Sequence, residues 1–127
     1  MSEMIHDDGD VDDETLRLVV DVVRFVRLAG KDPEGLVRMM NEYLAETRTV
    51  SAMWPKLLQA GEVGEVSEQL HMCKGGAAIF GFSRIMALIA GLEMRPLDPA
   101  SYDAQAFERE LALAELAVDA LAGGRLI

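Results

Sequence analysis

The sequence predicts an all-α fold, an antiparallel four-helix bundle with an additional N-terminal helix. Three observations lead there. Apolar residues near the end of the chain recur at helical spacing: Phe107, Leu111, Ala114, Val118 and Leu121 step by four, three, four and three. Asp-Pro pairs and glycines punctuate the chain at helix-length intervals. No stretch keeps the strict alternation of a strand, and no repeat of about 20–50 residues appears. The 127 residues suffice for one domain with a single core. Residues 1–13 read as a disordered acidic tail, and residues 14–127 as the helical bundle.

The elements follow in order. Residues 14–28, "ETLRLVVDVVRFVRL", read as one helix. Their valines suit a strand, but Arg17, Asp21, Arg24 and Arg27 form a helical polar stripe, with Arg17 and Asp21 as neighbours. Gly30 then ends the helix. The second helix opens at "KDPEG", where Asp32 caps and Pro33 takes the first helical position. Its apolar positions include Leu36, Met39, Met40, Tyr43, Leu44, Val50 and Trp54. Pro55 removes a helical hydrogen bond and predicts a kink or break near 51–54, before Gly61 closes the segment. A third helix spans about 62–80 with Gly81 as its stop, and a fourth spans 82–94. Asp98-Pro99, or Ser101, marks the start of the last helix, which Gly123 and Gly124 end.

Composition excludes several functions. A net charge of −10 opposes nucleic-acid binding, which needs Lys and Arg to displace phosphate counterions. It equally opposes an anionic membrane surface. No apolar run reaches the roughly 18 residues of a membrane span, and "MSEMIHDDGDVDDE" is no secretory signal. The single cysteine, Cys73, precludes an internal disulfide and a cysteine zinc site. A cytoplasmic location is expected.

Chemistry concentrates in "QLHMCKGGAAIFG", residues 69–81. On a helix, Val63, Val66, Leu70, Cys73, Ala77 and Phe80 share the core side. His71 falls away from it, beside Gly64, Ser67, Glu68 and Gly75, so it is expected to be exposed. Gly75 is the next residue up on the face of His71, and a glycine within a helix costs roughly 1 kcal/mol relative to alanine. Its functional account is clearance for a surface approaching the imidazole; Gly76 points to a flank, where it serves helix packing. Lys74, three residues on, would attract a phosphoryl group on the ring and favour the neutral imidazole that a nucleophile needs. Met72 and Ile79 also point outward, as a docking patch would. The plain alternative is a surface histidine with a lysine nearby.

"HMCKGGAAIFG" resembles the signature of the histidine phosphotransfer domain. His71, Lys74, Gly75, Gly76, Ala77, Phe80 and Gly81 match in place. Cys73 stands where the family usually has leucine, and Gly76 where serine or alanine is usual. The flanking helices, from about residue 33 to 121, look like the family in pattern. The resemblance implies a phosphorelay intermediate without nucleotide site or autokinase activity. It would exchange a phosphoryl group with aspartyl phosphates of response-regulator or hybrid-kinase receiver domains. It makes His71 the phosphoryl acceptor through Nε2, Lys74 the orienting cation and Gly75 the clearance. Met72, Ile79, Gly64 and Glu68 are the docking residues. Ser67 or Glu68 is the candidate for holding the other ring nitrogen, with solvated side chains as the alternative. Mg²⁺ is expected on the receiver, so this chain needs no cofactor or metal of its own, and a monomer is expected.

Rival functions are weaker. A histidine-kinase dimerisation helix usually places an acid directly after its histidine, where this chain has Met72. A non-catalytic four-helix interaction module remains the alternative function. A diiron bundle needs Glu-x-x-His on facing helices, whereas Glu68–His71 supplies that spacing once and His6 lies in the tail. Cys73 falls on the core face, where inert burial is the default.

Overall fold

The computed structural model describes residues 11–127, so the acidic stretch before Val11, with His6, lies outside the described residues. All regular elements of the described residues are helices: α1 (Asp13–Val19), α2 (Val22–Ala29), α3 (Pro33–Ser51), α4 (Trp54–Gln59), α5 (Val63–Phe80), α6 (Ser83–Glu93) and α7 (Ala104–Ala122). Helix α3 packs on α5 and α7, and α6 packs on α5 and α7, so these elements share one core as a bundle. Among the described residues no helix is long and apolar enough to cross a membrane.

The expected single helix over 14–28 is two helices. Val20 is extended (φ −132°, ψ 141°), and Asp21 caps α2 by accepting from Arg24 N at 3.0 Å. The cause lies in the apolar pattern. On one continuous helix Phe25 would point about 180° away from Leu16, yet Leu16, Val19, Val20 and Phe25 are all buried. Breaking at Val20 lets both apolar faces reach the core, α1 against α6 and α7, α2 against α3. The expected Arg17–Asp21 pairing does not form, because the two residues no longer share a helix: Arg17 Nε donates to Leu126 O instead, at 3.1 Å. Asp12 and Asp13, read as tail, belong to α1; Asp12 caps it by accepting from Thr15 N at 2.8 Å.

Pro55 acts as its chemistry requires. Helix α3 ends at Ser51 and α4 restarts at Trp54, with Pro55 in the first turn, where its missing N–H costs nothing. The restart turns Trp54 fully into the core, edge-on to Phe107 (centroids 5.2 Å apart) and Tyr102 (5.8 Å). Helix α7 starts later than either expected position. Asp103 is its cap, accepting from Ala106 N at 3.0 Å. Asp98 folds its carboxylate back onto Ala100 N (2.9 Å) and Ser101 N (2.8 Å), a local turn that competes with helix initiation. The spacing of Phe107, Leu111, Ala114, Val118 and Leu121 does mark core, since all five are buried. Met39 does not follow its expectation: it is exposed while its neighbour Met40 is buried. Across the α3–α7 contact, Arg48 Nε donates to Glu108 at 2.7 Å and Nη1 pairs with Glu115.

Candidate functional site

Helix α5 is held in register at two places beyond its histidine, at its end and within one turn after His71. At its end Gly81 is left-handed (φ 80°), and Phe82 N donates back to Ala77 O at 2.8 Å, closing the helix abruptly. Asp21 N donates to Gly81 O at 2.8 Å, and Arg24 Nε donates to Ile79 O at 2.7 Å, so the α1–α2 break docks on the carbonyl end of α5. Midway, Tyr43 of α3 donates its hydroxyl to Cys73 O at 2.5 Å while its ring lies on Gly76. Burial pushes the Tyr43 phenol well above its ordinary range, so it stays a protonated donor.

With Val66, Leu70, Cys73 and Ala77 buried beneath, the opposite side of α5 faces outward. His71 is there, its side chain 77% exposed. Met72, Gly75, Ile79, Gly64 and Glu68 are exposed as expected. Val63 and Phe80, expected in the core, are less covered: Val63 is exposed and Phe80 half-buried. A β-carbon at Gly75 would meet nothing within 4 Å, and the same holds at Gly64. The chain's own packing therefore does not require glycine at 75. Gly76 is different, because a β-carbon there would collide with Tyr43.

The ring nitrogen facing the protein is Nδ1, and its neighbour is neither Ser67 nor Glu68. It is Glu93 at the end of α6, with Oε2 3.6 Å from His71 Nδ1, an ion-pair separation rather than a direct hydrogen bond. The other oxygen, Oε1, pairs with Lys74 Nζ. The Lys74 ammonium holds the Glu93 carboxyl below the usual carboxylate range; slight desolvation opposes this and His71 adds to it. His71, Lys74 and Glu93 thus form one polar group on an open face. Ser67 and Glu68 stay solvent-facing because the hairpin, turning at Gly81–Phe82, brings residue 93 opposite residue 71. Counting outward from that turn was the available signal, and Glu93 is the only carboxylate of α6.

Beside the histidine lies an apolar groove of about 190 Å³ between α3 and α5, lined by Tyr43, Thr47, Val50, Met72, Cys73 and Gly76. A second, of about 330 Å³, runs from Ile79 and Phe80 to Leu28 and Met39. Cys73 is buried and desolvation pushes its thiol up, which leaves little thiolate for nucleophilic chemistry. Comparison with family models, curated proteins and solved structures finds no match for this chain.

Proposed function

We propose that this chain is a histidine phosphotransfer protein, with α3, α5, α6 and α7 as an antiparallel four-helix bundle and α1–α2 as the N-terminal addition. The observation that carries the proposal is the exposed His71 with Nδ1 turned to Glu93 and Gly75 leaving the approach open. With Nδ1–H directed at Glu93, Nε2 is the nitrogen left to react.

Its lone pair attacks the phosphorus of an aspartyl phosphate on a receiver domain. The N–P bond forms as the acyl-phosphate P–O bond breaks, and the aspartate leaves as its carboxylate. The ring becomes cationic as it keeps its Nδ1 proton, and the Glu93 carboxylate stabilises that charge. Lys74 pairs with Glu93 in the free chain, and its ammonium would turn to the arriving phosphoryl oxygens. The receiver supplies Mg²⁺, and Met72, Ile79, Gly64 and Glu68 form the contact surface around the reacting nitrogen. The reaction belongs in the cytoplasm, where aspartyl phosphates of receiver domains are made.

The test is transfer from a panel of phosphorylated receiver domains to wild-type chain and to His71→Gln. Acid-labile phosphate on the wild type alone supports the proposal and identifies a partner. Its absence with every receiver transfers the function to a non-catalytic helical interaction module.

A further inference from the structure

Among the described residues, the two most exposed large apolar side chains are Met94 (86%) and Met72 (75%). Methionine is normally a core gap-filler, yet here only Met40 of the described methionines is buried, while Met39, Met53, Met72, Met86 and Met94 are exposed. Met72 follows His71 in sequence and Met94 follows Glu93, so an exposed methionine is the next residue after each partner of the 3.6 Å contact at the candidate site.

We propose that Met72 and Met94 are a methionine-oxidation site that controls receiver docking at His71. This inference rests on the phosphotransfer function above and adds a regulator of the same face. The oxidant is a peroxide. A thioether sulfur lone pair takes the terminal oxygen, the S–O bond forms as the O–O bond breaks, and hydrogen peroxide leaves as water. Sulfur is oxidised by two electrons and the peroxide is reduced. Methionine sulfoxide reductase reverses the change. The product is a polar side chain where docking needs an apolar one, while the imidazole, Lys74 and Glu93 keep their chemistry. Exposure sets the order of reaction: Met72 and Met94 react ahead of Met40. The nearby Cys73 is protected by burial.

The experiment treats the full chain with hydrogen peroxide, maps sulfoxides by peptide mass spectrometry, and measures phosphoryl transfer from a receiver. Phosphoramidate, a small phosphodonor that needs no docking surface, is the parallel probe of His71. Oxidised wild type is expected to fall about tenfold in transfer from the receiver, because its docking surface has become polar, and to be unchanged with phosphoramidate. The Met72→Leu/Met94→Leu variant is expected to keep its receiver rate through the same treatment, and sulfoxide reductase to restore the wild type. An unchanged receiver rate after full oxidation of both residues overturns the inference alone, as does an equal fall in the leucine variant. No transfer to the unoxidised chain overturns the phosphotransfer function, and the inference with it.

Discussion

The ring of Tyr43 lies on the backbone of Gly76, so close that a β-carbon at 76 would stand 2.8 Å from Cδ1 and nearer still to Cε1. Gly75, one residue earlier, faces open space. The two glycines therefore answer to different demands. Gly76 lets α3 approach α5, and Gly75 serves nothing inside this chain.

That contrast yields opposite outcomes for the same substitution. Gly76→Ala is expected to destabilise by about 1–3 kcal/mol, since the ring must be displaced and its 2.5 Å bond to Cys73 O is put at risk. Gly75→Ala is expected to stabilise by up to about 1 kcal/mol through helix propensity, and to slow transfer from a receiver by crowding His71. Urea unfolding of both variants reads the first effect, and the transfer assay the second. A destabilised Gly75→Ala would mean that residue 75 packs against the chain after all.

Glu93 supports a pH test. Lys74, then His71, holds its folded-state carboxyl below the ordinary range. The resulting stabilisation is fully present above the unfolded carboxylate value and is lost as pH falls through the lower folded value. The group is solvent-accessible, so the effect is expected below about 1 kcal/mol. Wild type is expected to exceed Glu93→Gln in stability at neutral pH, with the gap closing in the acid range. A gap that is constant with pH would show that the carboxylate charge plays no part. In the transfer assay Glu93→Gln is expected to be slower than wild type, because a neutral amide stabilises a cationic ring less well.

Much of the fold was legible where local rules act alone. Asp32-Pro33 opens α3, Pro55 separates α3 from α4, and Gly81 stops α5 in the left-handed conformation. His71, Gly75 and Ile79 could be placed on the open face from helical phase alone. What escaped depends on contacts between distant segments. The valine run before Phe25 hides two apolar faces out of phase, and only the core they share reveals the break at Val20. Asp98, Ser101 and Asp103 are all competent caps, and the turn that Asp98 makes with Ala100 and Ser101 decides against the first two. Glu93 was missed because its partner is 22 positions earlier, across a hairpin.

The α1–α2 break is anchored on Gly81, and its anchorage is testable. Gly81 carries φ 80°, and a β-carbon there would also stand 3.0 Å from Asp21 Cβ. Gly81→Ala is expected to cost at least about 1–2 kcal/mol from the left-handed backbone alone. Asp21→Ala removes the α2 cap and is expected to cost about 1 kcal/mol. Because alanine at 81 displaces residue 21, and with it the cap that Asp21→Ala removes, the two changes should not add independently. Urea unfolding of the single and double variants measures the coupling, and strict additivity would mean that the break is not docked on α5.

Trp54 gives the sharpest probe of the junction between α4 and α5. Its side chain is fully buried, and its indole N–H donates to Gln69 Oε1 at 2.7 Å, while Gln69 Nε2 reaches Glu65 at 3.3 Å. Gln69→Leu removes the acceptor and leaves a buried donor unpaired, which is expected to cost about 1–3 kcal/mol. In a Trp54→Phe background no donor remains, so the same Gln69→Leu change is expected to cost little. The difference between the two backgrounds separates the hydrogen-bonded pair from the packing of the larger ring. Because Trp54 is the only tryptophan of the chain, its emission reports unfolding in the first background, and circular dichroism serves both. Equal costs of Gln69→Leu in the two backgrounds would mean that the indole does not depend on Gln69.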